Sequence, residues 1–396
     1  MNFSGPADGL SKTGPRLCDE TLPPNFHLPL VSIIVINYNY GRYLEEAVES
    51  IFAQTYSAVE CIIVDNASTD ETPAVLATIA ERHPQVIIIR RETNKGQTAA
   101  SLEGFARSSG QYVIFFDADD LLLPHCVETH VYVHLSSRIH IGFTAGDMLQ
   151  AHNGNIVLST GEAMNNYIRS GRGRRPNNWR PYRGHANWPP ASIGQNLSAK
   201  ALYVPPLCTQ WVWTPTSGLC YRRDAILLFS DNPRLPHLWT ATDMYLAHGI
   251  GGWCGSVLID EPLFIYRMHG SNLFSQTAQL HHALNYKPGG DGDYISQAKA
   301  LIIDQLIHRC ARFTPNLLFK LHLIGLLFGL DTKETDPDLP RWAKRSCTAH
   351  RLVMHFDHFA AQFGTLTTRL LMLIFGVPLP VIWRCGRNDA RPADKG

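Results

Sequence analysis

The sequence predicts an α/β fold, with a mainly parallel, doubly wound sheet flanked by helices and a helical appendage at the C-terminal end. The first observation is a set of short apolar runs, continuous rather than alternating, at residues 31–36, 59–64, 86–89 and 112–116. Continuous apolar strands are typical of parallel sheets covered on both faces. The second observation is a helical period between these runs, which gives an alternating order of strands and helices.

Each segment between the predicted strands has the pattern of a helix. The apolar stripe of the first helix consists of Leu44, Ala47, Val48 and Ile51. The second helix spans 71–79 and begins near Ser68 and Asp70, whose residue types cap helix N-termini. The third spans 97–107 and follows a turn at 94–96. These helices would cover the predicted sheet.

Length and composition indicate a packed protein of two units. For 396 residues we expect a flexible leader over 1–29, one large domain over 30–275 and a mainly helical region over 276–396. Hydrophobic residues make up 45% of the chain and charged residues 17%, as in ordinary globular proteins. The 35 Lys and Arg residues nearly balance 34 Asp and Glu, so the overall charge does not favour nucleic acid as a partner.

Cysteine usage and the N-terminal residues indicate a cytoplasmic protein. Nine cysteines are scattered without a Cys-x-x-Cys pair, which argues against a zinc site or a disulfide framework. Cys61 lies inside an apolar run and is interpreted as a small buried side chain, which suits a reducing compartment. The first 29 residues lack a basic segment followed by an apolar stretch, so we expect no secretory signal.

Polar residues follow the predicted strands. Asn37 and Tyr38 follow the first apolar run, Asp65 follows the second, and the acidic segment 117–120 follows the fourth. In doubly wound sheets, ligands lie beyond the carboxyl ends of the strands. We therefore expect these side chains to share one binding edge.

The acidic segment is the strongest chemical feature of the sequence. Asp117, Asp119 and Asp120 place three carboxylates in four residues, which repel one another unless a cation compensates. In an extended chain Asp117 and Asp119 point the same way, so a hard divalent cation could join them to a phosphate oxygen. An acidic helix cap or turn is the alternative, and the residues alone leave both open.

Two C-terminal segments, 317–330 and 370–383, are strongly apolar. Each has about 14 residues, fewer than the roughly 20 that cross a bilayer. Arg384, Arg387 and Arg391 follow the second segment. We expect this region to contact a membrane surface, on the inner face of the membrane, or a partner chain. The alternative is that these helices complete a core with the rest of the chain or with a second subunit.

Four segments in order resemble the family 2 glycosyltransferases, which have the GT-A fold. They are Val-Ser-Ile-Ile-Val-Ile-Asn-Tyr-Asn-Tyr-Gly-Arg-Tyr-Leu at 31–44, Ile-Val-Asp-Asn-Ala-Ser-Thr-Asp at 63–70, Asn-Lys-Gly at 94–96 and Phe-Asp-Ala-Asp-Asp at 116–120. Motifs in order, each at a predicted strand end, are more specific than any one alone. The resemblance implies a metal-using, inverting enzyme that transfers a sugar from a nucleotide sugar, expected to be a UDP-sugar, to a hydroxyl group.

The resemblance implies roles for residues on the donor side. Asp65 would accept a hydrogen bond from the donor's base. Asn37, Tyr38 and Lys95 would lie near that base, and Asp117 would lie beside the ribose.

The resemblance also implies a metal site. Asp119 would hold a divalent cation, Mn²⁺ or Mg²⁺, on the diphosphate. His269, in the closing motif 266–272, would approach that metal or the diphosphate, although a hydrogen-bonded loop histidine is the alternative. Asp120 and Arg267 are candidate contacts to the donor sugar or the diphosphate.

Asp243, in the segment 239–246, is the catalytic base that the resemblance implies. A metal-bound carboxylate is a poor base, so an acid outside the metal cluster must deprotonate the acceptor. The alternative is a charge that only stabilises a helix N-terminus. The sequence departs from the family twice: Thr242 stands where Glu usually precedes the base, and Leu102 stands where a helix Asn is common.

Other functions are weighed against this one. A nucleotide-sugar-binding protein without turnover would account for Thr242. A haloacid-dehalogenase-like phosphatase also has Asp-x-Asp after a strand, but its motif lies near the start of the fold, and Leu121 follows the acids here. A dehydrogenase would need Gly-x-Gly-x-x-Gly after the first strand, which residues 37–41 do not supply.

Residues 164–192 mix basic and aromatic side chains without a helical period. They include Arg169, Arg172, Arg174, Arg175, Arg180, Arg183, Trp179, Tyr182 and Trp188. Aromatic rings stack on sugars as well as on bases, and no nucleic-acid signature accompanies the run. We predict a loop on the acceptor side, with a plain solvated loop as the alternative. The acceptor itself stays open among a saccharide, a lipid-linked saccharide and a protein, in cell-surface polysaccharide or glycoconjugate assembly.

Overall fold

A computed structural model of the chain describes residues 27–182, 196–270, 272, 293–312, 317–334 and 336–386. Several sequence predictions fall on other residues. Outside the described residues lie most of the leader 1–29, the boundary at 275/276, Arg183 and Trp188 of the basic-aromatic run, Ser271 of the closing motif, and Arg387 and Arg391.

The described residues form a ten-stranded sheet. Its strands are β1 (Val31–Asn37), β2 (Val59–Asp65), β3 (Ile87–Arg90), β4 (Tyr112–Asp117), β5 (Leu121–Leu122), β6 (Phe143–His152), β7 (Asn155–Leu158), β8 (Ala201–Val204), β9 (Leu219–Arg222) and β10 (Ser256–Met268). The order across the sheet is β3-β2-β1-β4-β9-β6-β10-β5, with β7 beside β6 and β8 beside β10.

The four N-terminal strands are parallel, as predicted. β1 pairs with β2 and β4, and β2 pairs with β3. Alternate residues of β1 belong to two hydrophobic clusters on opposite faces of the sheet, which explains why the whole strand is buried. Asn37 pairs with Asp65, and Ile36 pairs with Asp117. The ends of β1, β2 and β4 therefore meet at one edge.

Beyond β4 the sheet is mixed. β9 is antiparallel to both β4 and β6, whereas β6 and β10 are parallel to each other. β5 and β8 pair antiparallel with β10, and β7 pairs antiparallel with β6. The predicted α/β class is confirmed, but parallel pairing dominates only among the N-terminal strands, because β9 enters between β4 and β6 in the opposite direction.

Helices flank the sheet and form the C-terminal part of the chain. In the sheet region they are α1 (Gly41–Phe52), α2 (Thr72–Arg82), α3 (Gln97–Arg107), α4 (Cys126–Ser136), α5 (Glu162–Arg169), α6 (Leu197–Lys200), α7 (Arg223–Leu227) and α8 (Thr242–Cys254). The C-terminal helices are α9 (Tyr294–His308), α10 (Leu317–Leu330), α11 (Arg341–Arg345), α12 (Cys347–Met354), α13 (Phe356–Phe363), α14 (Thr365–Ile374) and α15 (Leu379–Arg384). α1, α2 and α3 lie where the sequence predicted helices.

The start of α2 differs in part from the predicted capping. Asp70 accepts hydrogen bonds from the backbone N–H groups of Thr72 (3.1 Å) and Gly41 (2.9 Å), so it supports the first turns of two helices. Ser68 does not cap α2, because its hydroxyl oxygen accepts from the Asn37 amide instead (3.1 Å). Both residue types are good caps, and only the path of the loop decides which one reaches the helix.

The C-terminal helices share a hydrophobic core with the sheet region. α9 and α10 pack against α8, and buried Leu326 of α10 belongs to the same cluster as Trp213 and Ile250. The His322 ring lies 3.0 Å from the carbonyl oxygen of Gly252, which joins α10 to α8. The inner faces of these helices therefore complete the core of the same chain. No helix in the described ranges combines the length and the apolar character needed to cross a membrane.

Candidate active site

The ends of β1 and β2 form a buried polar floor. The Asn37 amide nitrogen lies within hydrogen-bond distance of Asp65 Oδ1 (3.2 Å) and of the hydroxyl of Thr72 (3.1 Å). Both Asn37 and Asp65 are buried. Asn37 Oδ1 has no hydrogen-bond partner among the described residues. The floor therefore holds an unsatisfied acceptor next to a carboxylate, which indicates a place for a donor group from a ligand or water.

Tyr38 and Lys95 follow β1 and β3 and are exposed. The loop of Lys95 is held by Asn66, whose Oδ1 accepts from the Lys95 N–H (3.4 Å) and from Arg91 (2.7 Å). The Asn66 amide in turn donates to Asn94 Oδ1 (2.7 Å). Asn66 thus fixes the predicted base-binding loop to the end of β2.

Asp117 and Asp120, at the end of β4, are bonded within the protein. Gln97 Nε2 donates to Asp117 Oδ1 (2.9 Å). Asp120 is buried and accepts from the Ser217 hydroxyl (2.6 Å) and from the Arg267 backbone N–H (3.2 Å). The Asp120 carboxylate therefore joins the end of β4 to β10, and its contact to a donor sugar remains a prediction.

Burial and repulsion raise the pKa values of this cluster. The pKa of Asp117 is raised to about 8, first by burial and then by the charges of Asp119 and Asp243. The pKa of Asp120 is also raised, by burial and by the neighbouring acids. Carboxyl groups held together in this way favour protons or a bound cation, and such perturbed groups are frequent at functional sites.

Asp119 faces His269 across the edge of the sheet. Asp119 Oδ2 lies 3.0 Å from His269 Nε2 and accepts from the Asn272 amide (3.3 Å). The His269 ring stacks on Tyr43 with 4.6 Å between ring centroids and contacts Tyr40 edge-on at 5.4 Å. The structure therefore brings together the two residues that the sequence assigned to the metal.

The Arg267 side chain is directed to α1 and to the loop after β4. It donates to the carbonyl oxygens of Asp119 and Tyr43 and forms an ion pair with Glu46. Its side chain is only 14% exposed. Arg267 thus joins β10 to α1, and its contact to the diphosphate stays a prediction.

Asp243 lies in the first turn of α8, beside the acidic cluster. Burial raises its pKa. The Thr216 side chain lies near both Asp243 and Asp117 and partly offsets the rise of their pKa values. Thr242, which stands where the family usually has Glu, places its hydroxyl 2.8 Å from that of Thr98 in α3. The start of α8 is therefore fixed against α3.

A close backbone contact joins α3 to the segment before α8. The Gln97 N–H donates to the Trp239 carbonyl oxygen (2.7 Å). Gly96 has φ +85°, and a Cβ at this position would lie 2.3 Å from the Trp239 carbonyl oxygen. Gln97 also binds Asp117, so this contact couples the end of β4 to the segment that carries Asp243. The edge formed by the ends of β1, β2 and β4, where a donor is predicted to bind, is called the donor edge below.

Several residues that organise the site had no predicted role. They are Gln97, Thr216, Ser217, Tyr43, Glu46 and Asn272. Thr216 and Ser217 lie in a short 3-10 helix before β9, and only the insertion of β9 next to β4 brings them to the acids. Their sequence signal, Thr-Pro-Thr-Ser-Gly at 214–218, is typical of a turn and of no particular chemistry.

The basic-aromatic run is not wholly irregular. Its first residues belong to α5, because Met164 and Tyr167 are buried on one face of a short helix. Trp179 is also buried and packs in the core, so its ring is not free to stack on a sugar. Arg172 is exposed.

A cavity of about 590 Å³ lies next to the 3-10 helix that contacts the acids. Its lining includes Glu162, Tyr167, Arg172 and Trp211. The wall continues to Pro215, directly before Thr216. The predicted acceptor-side segment thus borders a cavity that reaches the residue before the 3-10 helix at 216–218.

Known proteins are similar to the part of the chain that contains the acidic segment 117–120. Residues 32–180 match the family described as Glycosyl transferase family 2. An uncharacterized glycosyltransferase of Nostoc sp. is 30% identical over 248 residues, which cover 61% of this chain and 66% of the relative. The putative teichuronic acid biosynthesis glycosyltransferase TuaG of Bacillus subtilis is 32% identical over 126 residues, which cover 32% of this chain and 50% of the relative. The chain thus spans just under two thirds of the first relative and half of the second.

A similar solved structure is the 1–349 fragment of S. aureus TarS in complex with UDP. It superposes with a TM-score of 0.45 at 16% identity, covering 85% of this chain and 75% of the other.

Proposed function

We propose that this protein transfers a sugar from a nucleotide-sugar donor, expected to be a UDP-sugar, to an acceptor hydroxyl with inversion of the anomeric carbon. The observation that carries the proposal is the position of Asp243 beside the acidic cluster, with Thr216 near both Asp243 and Asp117. Such a transfer needs a group that stabilises the negative charge of the leaving diphosphate and a separate base that deprotonates the acceptor. The family match over 32–180 supports the donor half.

The polar floor suits a pyrimidine base. Within the described residues, the hydrogen bonds that Asp65 accepts from the Asn37 amide and the Ser68 N–H both go to Oδ1. Oδ2 can therefore accept an N–H from the base. Asn37 Oδ1 offers a second, unsatisfied acceptor. The exposed Tyr38 ring and the Lys95 side chain would border the nucleoside.

A divalent cation fits the donor set at Asp119 and His269. A carboxylate oxygen and an imidazole nitrogen lie 3.0 Å apart beside two further acids with raised pKa values. Mg²⁺ and Mn²⁺ often take one or two protein ligands when substrate phosphates complete the coordination. Asp119 and His269 would hold the ion, which when bound neutralises charge on the leaving diphosphate.

Asp243 would act as the base of a single displacement. The acceptor oxygen bonds to the anomeric carbon while the bond from that carbon to the diphosphate oxygen breaks, and the acceptor proton moves to Asp243. Burial raises the pKa of Asp243, which makes its carboxylate a stronger base at neutral pH. Thr216 lies near this carboxylate and near Asp117.

The cavity beside Pro215 is the proposed acceptor site. Trp211 supplies aromatic surface, and Arg172 and Glu162 supply polar groups. Sugars bind to mixed surfaces of this kind through stacking and hydrogen bonds. TuaG is named for teichuronic acid biosynthesis, and we propose a saccharide acceptor in cell-surface polysaccharide assembly for this chain as well.

An exposed apolar face on three C-terminal helices supports peripheral attachment to a membrane. The face consists of Leu317, Leu318, Leu321 and Phe328 of α10, Leu366, Leu370, Leu373 and Ile374 of α14, and Leu379 and Trp383 of α15. On α14 and α15 these residues recur at helical spacing, and Leu366 is 84% exposed. Phe328 stacks on Phe375 at 4.5 Å, which makes α10 and α14 neighbours. An exposed apolar surface of this kind marks an interaction site.

The charges on these helices favour an anionic lipid surface over a second protein. Lys320, Arg369 and Arg384 are the charged residues of α10, α14 and α15, and none of the three helices contains an acid. Arg369 lies over the ring of Trp383 at 5.4 Å, so cationic and aromatic groups meet on the same side. Basic and tryptophan side chains around an apolar face are typical of helices that lie in the headgroup region.

A donor screen tests the proposed function. Chelator-treated protein is mixed with UDP-sugars and with other nucleotide sugars, with and without Mn²⁺ or Mg²⁺, and the melting temperature is measured. We expect a rise with a UDP-sugar that requires the cation, and little rise for Asp119→Ala under the same conditions. Equal donor affinity with and without chelator would remove the metal from the proposal.

Product analysis separates an enzyme from a binding protein. Release of UDP from the donor that binds, with or without added saccharide acceptors, supports turnover. Tight donor binding without release under every condition would instead support a nucleotide-sugar-binding protein.

A further inference from the structure

Three histidines from different parts of the C-terminal region lie close together. His308 ends α9, His355 lies between α12 and α13, and His358 lies in the first turn of α13. One ring nitrogen from each lies within 4.8 Å of the other two. The centroid of the His308 ring lies 5.1 Å from that of the His355 ring and 4.7 Å from that of the His358 ring. His355 directly precedes α13 and His358 lies in its first turn, so both side chains belong to the same helix start.

The surroundings of this histidine cluster resemble those of a metal site. Asp304 Oδ1 lies 2.8 Å from His355 Nε2, which leaves Nδ1 of that ring for another partner. A carboxylate that fixes the second nitrogen of a histidine is the usual outer contact of a metal ligand. The Nδ1 atom of His308 is buried and has no hydrogen-bond partner within the described ranges. A buried ring nitrogen without a partner is unfavourable, and coordination would satisfy one.

We propose that His308, His355 and His358 bind a transition-metal ion of the Zn²⁺ class, separate from the cation of the donor edge. Three imidazoles suit Zn²⁺, Co²⁺, Ni²⁺ or Cu²⁺ and disfavour Mg²⁺. Tetrahedral coordination with bonds of about 2.0–2.1 Å places ligand nitrogens about 3.4 Å apart, so small rotations of the side chains close the site. His358 is exposed, so water would take the fourth position.

The bound ion would join the end of α9 to the junction of α12 and α13. α9 packs against α8, which carries Asp243, and α13 packs against α14, which carries part of the apolar face. The role of the site is therefore to tie the helices of the apolar face to the core.

Zinc titration of the full chain tests this site. Asp119→Ala protein, which lacks one ligand of the donor edge, is freed of metal and titrated with Zn²⁺ by calorimetry. We expect one Zn²⁺ per chain, and we expect His358→Ala in the same background to weaken its binding at least about 100-fold. His358 is exposed, so its removal leaves the core intact. His140→Ala, an exposed histidine elsewhere, is the matched control and should bind Zn²⁺ normally.

Two further measurements give independent readouts. Asp304→Asn keeps the shape of the side chain and should weaken Zn²⁺ binding about 10- to 100-fold. Co²⁺ in place of Zn²⁺ should give the strong visible absorption of a tetrahedral ion, and His358→Ala should abolish it. Absence of Zn²⁺ binding in the Asp119→Ala protein, or equal affinity with His358→Ala, would overturn the proposal.

Discussion

At the scale of single residues, the proposed chemistry depends most on Asp243. Asp243→Asn keeps the shape of the side chain but cannot accept the acceptor's proton, so turnover should fall about 100-fold or more. UDP affinity should stay nearly unchanged, because the donor contacts are proposed for Asp65, Asp117 and Asp119. Asp119→Ala should damage both turnover and donor binding. Steady-state rates and calorimetry of UDP measure the two effects.

A control and a stereochemical measurement complete this test. Asp260→Asn removes an exposed acid of β10 and should change neither quantity. A substitution at 243 that weakens UDP binding as much as turnover, or a product that retains the donor's anomeric configuration, would falsify the role of Asp243 as the base.

The raised pKa of Asp117 predicts how stability depends on pH without metal. Its folded pKa of about 8 lies above the unfolded value, so between the two values the folded state binds more protons. The contribution of Asp117 to the free energy of unfolding is therefore lost as pH rises toward about 8. Burial lowers the pKa values of His130 and His248, which makes the free energy of unfolding rise with pH. This opposite effect acts only below about pH 6.5.

The melting temperature of chelator-treated protein should thus fall from about pH 7 to about pH 8.5. Asp117→Asn cannot titrate and should reduce this slope, and added Mn²⁺ should reduce it in the unmodified protein. A slope that is the same for both proteins would show that Asp117 is already charged at neutral pH.

Residues of the site were predictable to the extent that they follow long buried strands. Asn37, Asp65 and Asp117 follow such strands and lie at the expected edge. Asp119 and His269 were paired through the family resemblance, not through spacing. Thr216 and Gln97 could not be found, because hydroxyl and amide side chains are common in loops and helices and act here only through three-dimensional contacts.

At the scale of elements, the contact between α3 and the segment before α8 is the tightest point of the site. Gly96→Ala would place a methyl group against the Trp239 carbonyl oxygen and would strain a residue with φ +85°. The strain is about 1–2 kcal/mol, and the overpacking adds about 1–3 kcal/mol. The free energy of unfolding should fall by the sum, and donor affinity should fall because Gln97 moves away from Asp117.

Gly154→Ala is the matched control for this change. Gly154 also has a positive φ, of +76°, but no atom lies within 4 Å of a Cβ built there. Its substitution should cost only the backbone strain. Denaturant unfolding of both variants isolates the contact with Trp239, and equal losses would indicate that the segment before α8 moves freely.

Elements were predictable where local pattern and burial agree. β1, β2 and β4 are continuous apolar runs, and their predicted bounds differ from the structure by one residue. β5 has two residues and β9 has four, too few to establish a period. Such short strands form because neighbouring strands offer them hydrogen-bond partners, which no local sequence window contains.

At the scale of the whole molecule, the apolar face predicts attachment to anionic lipid. The full chain should float with vesicles that contain anionic lipid and bind less to neutral vesicles, because basic residues accompany the face. Leu366→Glu with Leu370→Glu places two charges in the face and should lower the bound fraction about tenfold or more. Point changes are preferable to removal of the C-terminal helices, since these helices share the core with the sheet region.

The matched control changes two apolar residues that are exposed elsewhere. Ile156→Glu with Val157→Glu alters β7, far along the sequence from the apolar face, and should leave flotation unchanged. A full chain that stays in the soluble fraction with every vesicle composition would exclude membrane attachment through this face.

The packing of α10 on α8 predicts that the described helices and the sheet unfold as one cooperative unit. A Cβ on Gly252 of α8 would lie 2.9 Å from Leu326, so the two helices meet without space between them. Loss of the C-terminal helices would expose the cluster that contains Trp213 and Ile250. Amide hydrogens in α8, next to Asp243, should therefore exchange with solvent as slowly as those in the central strands, because neither can open without the other.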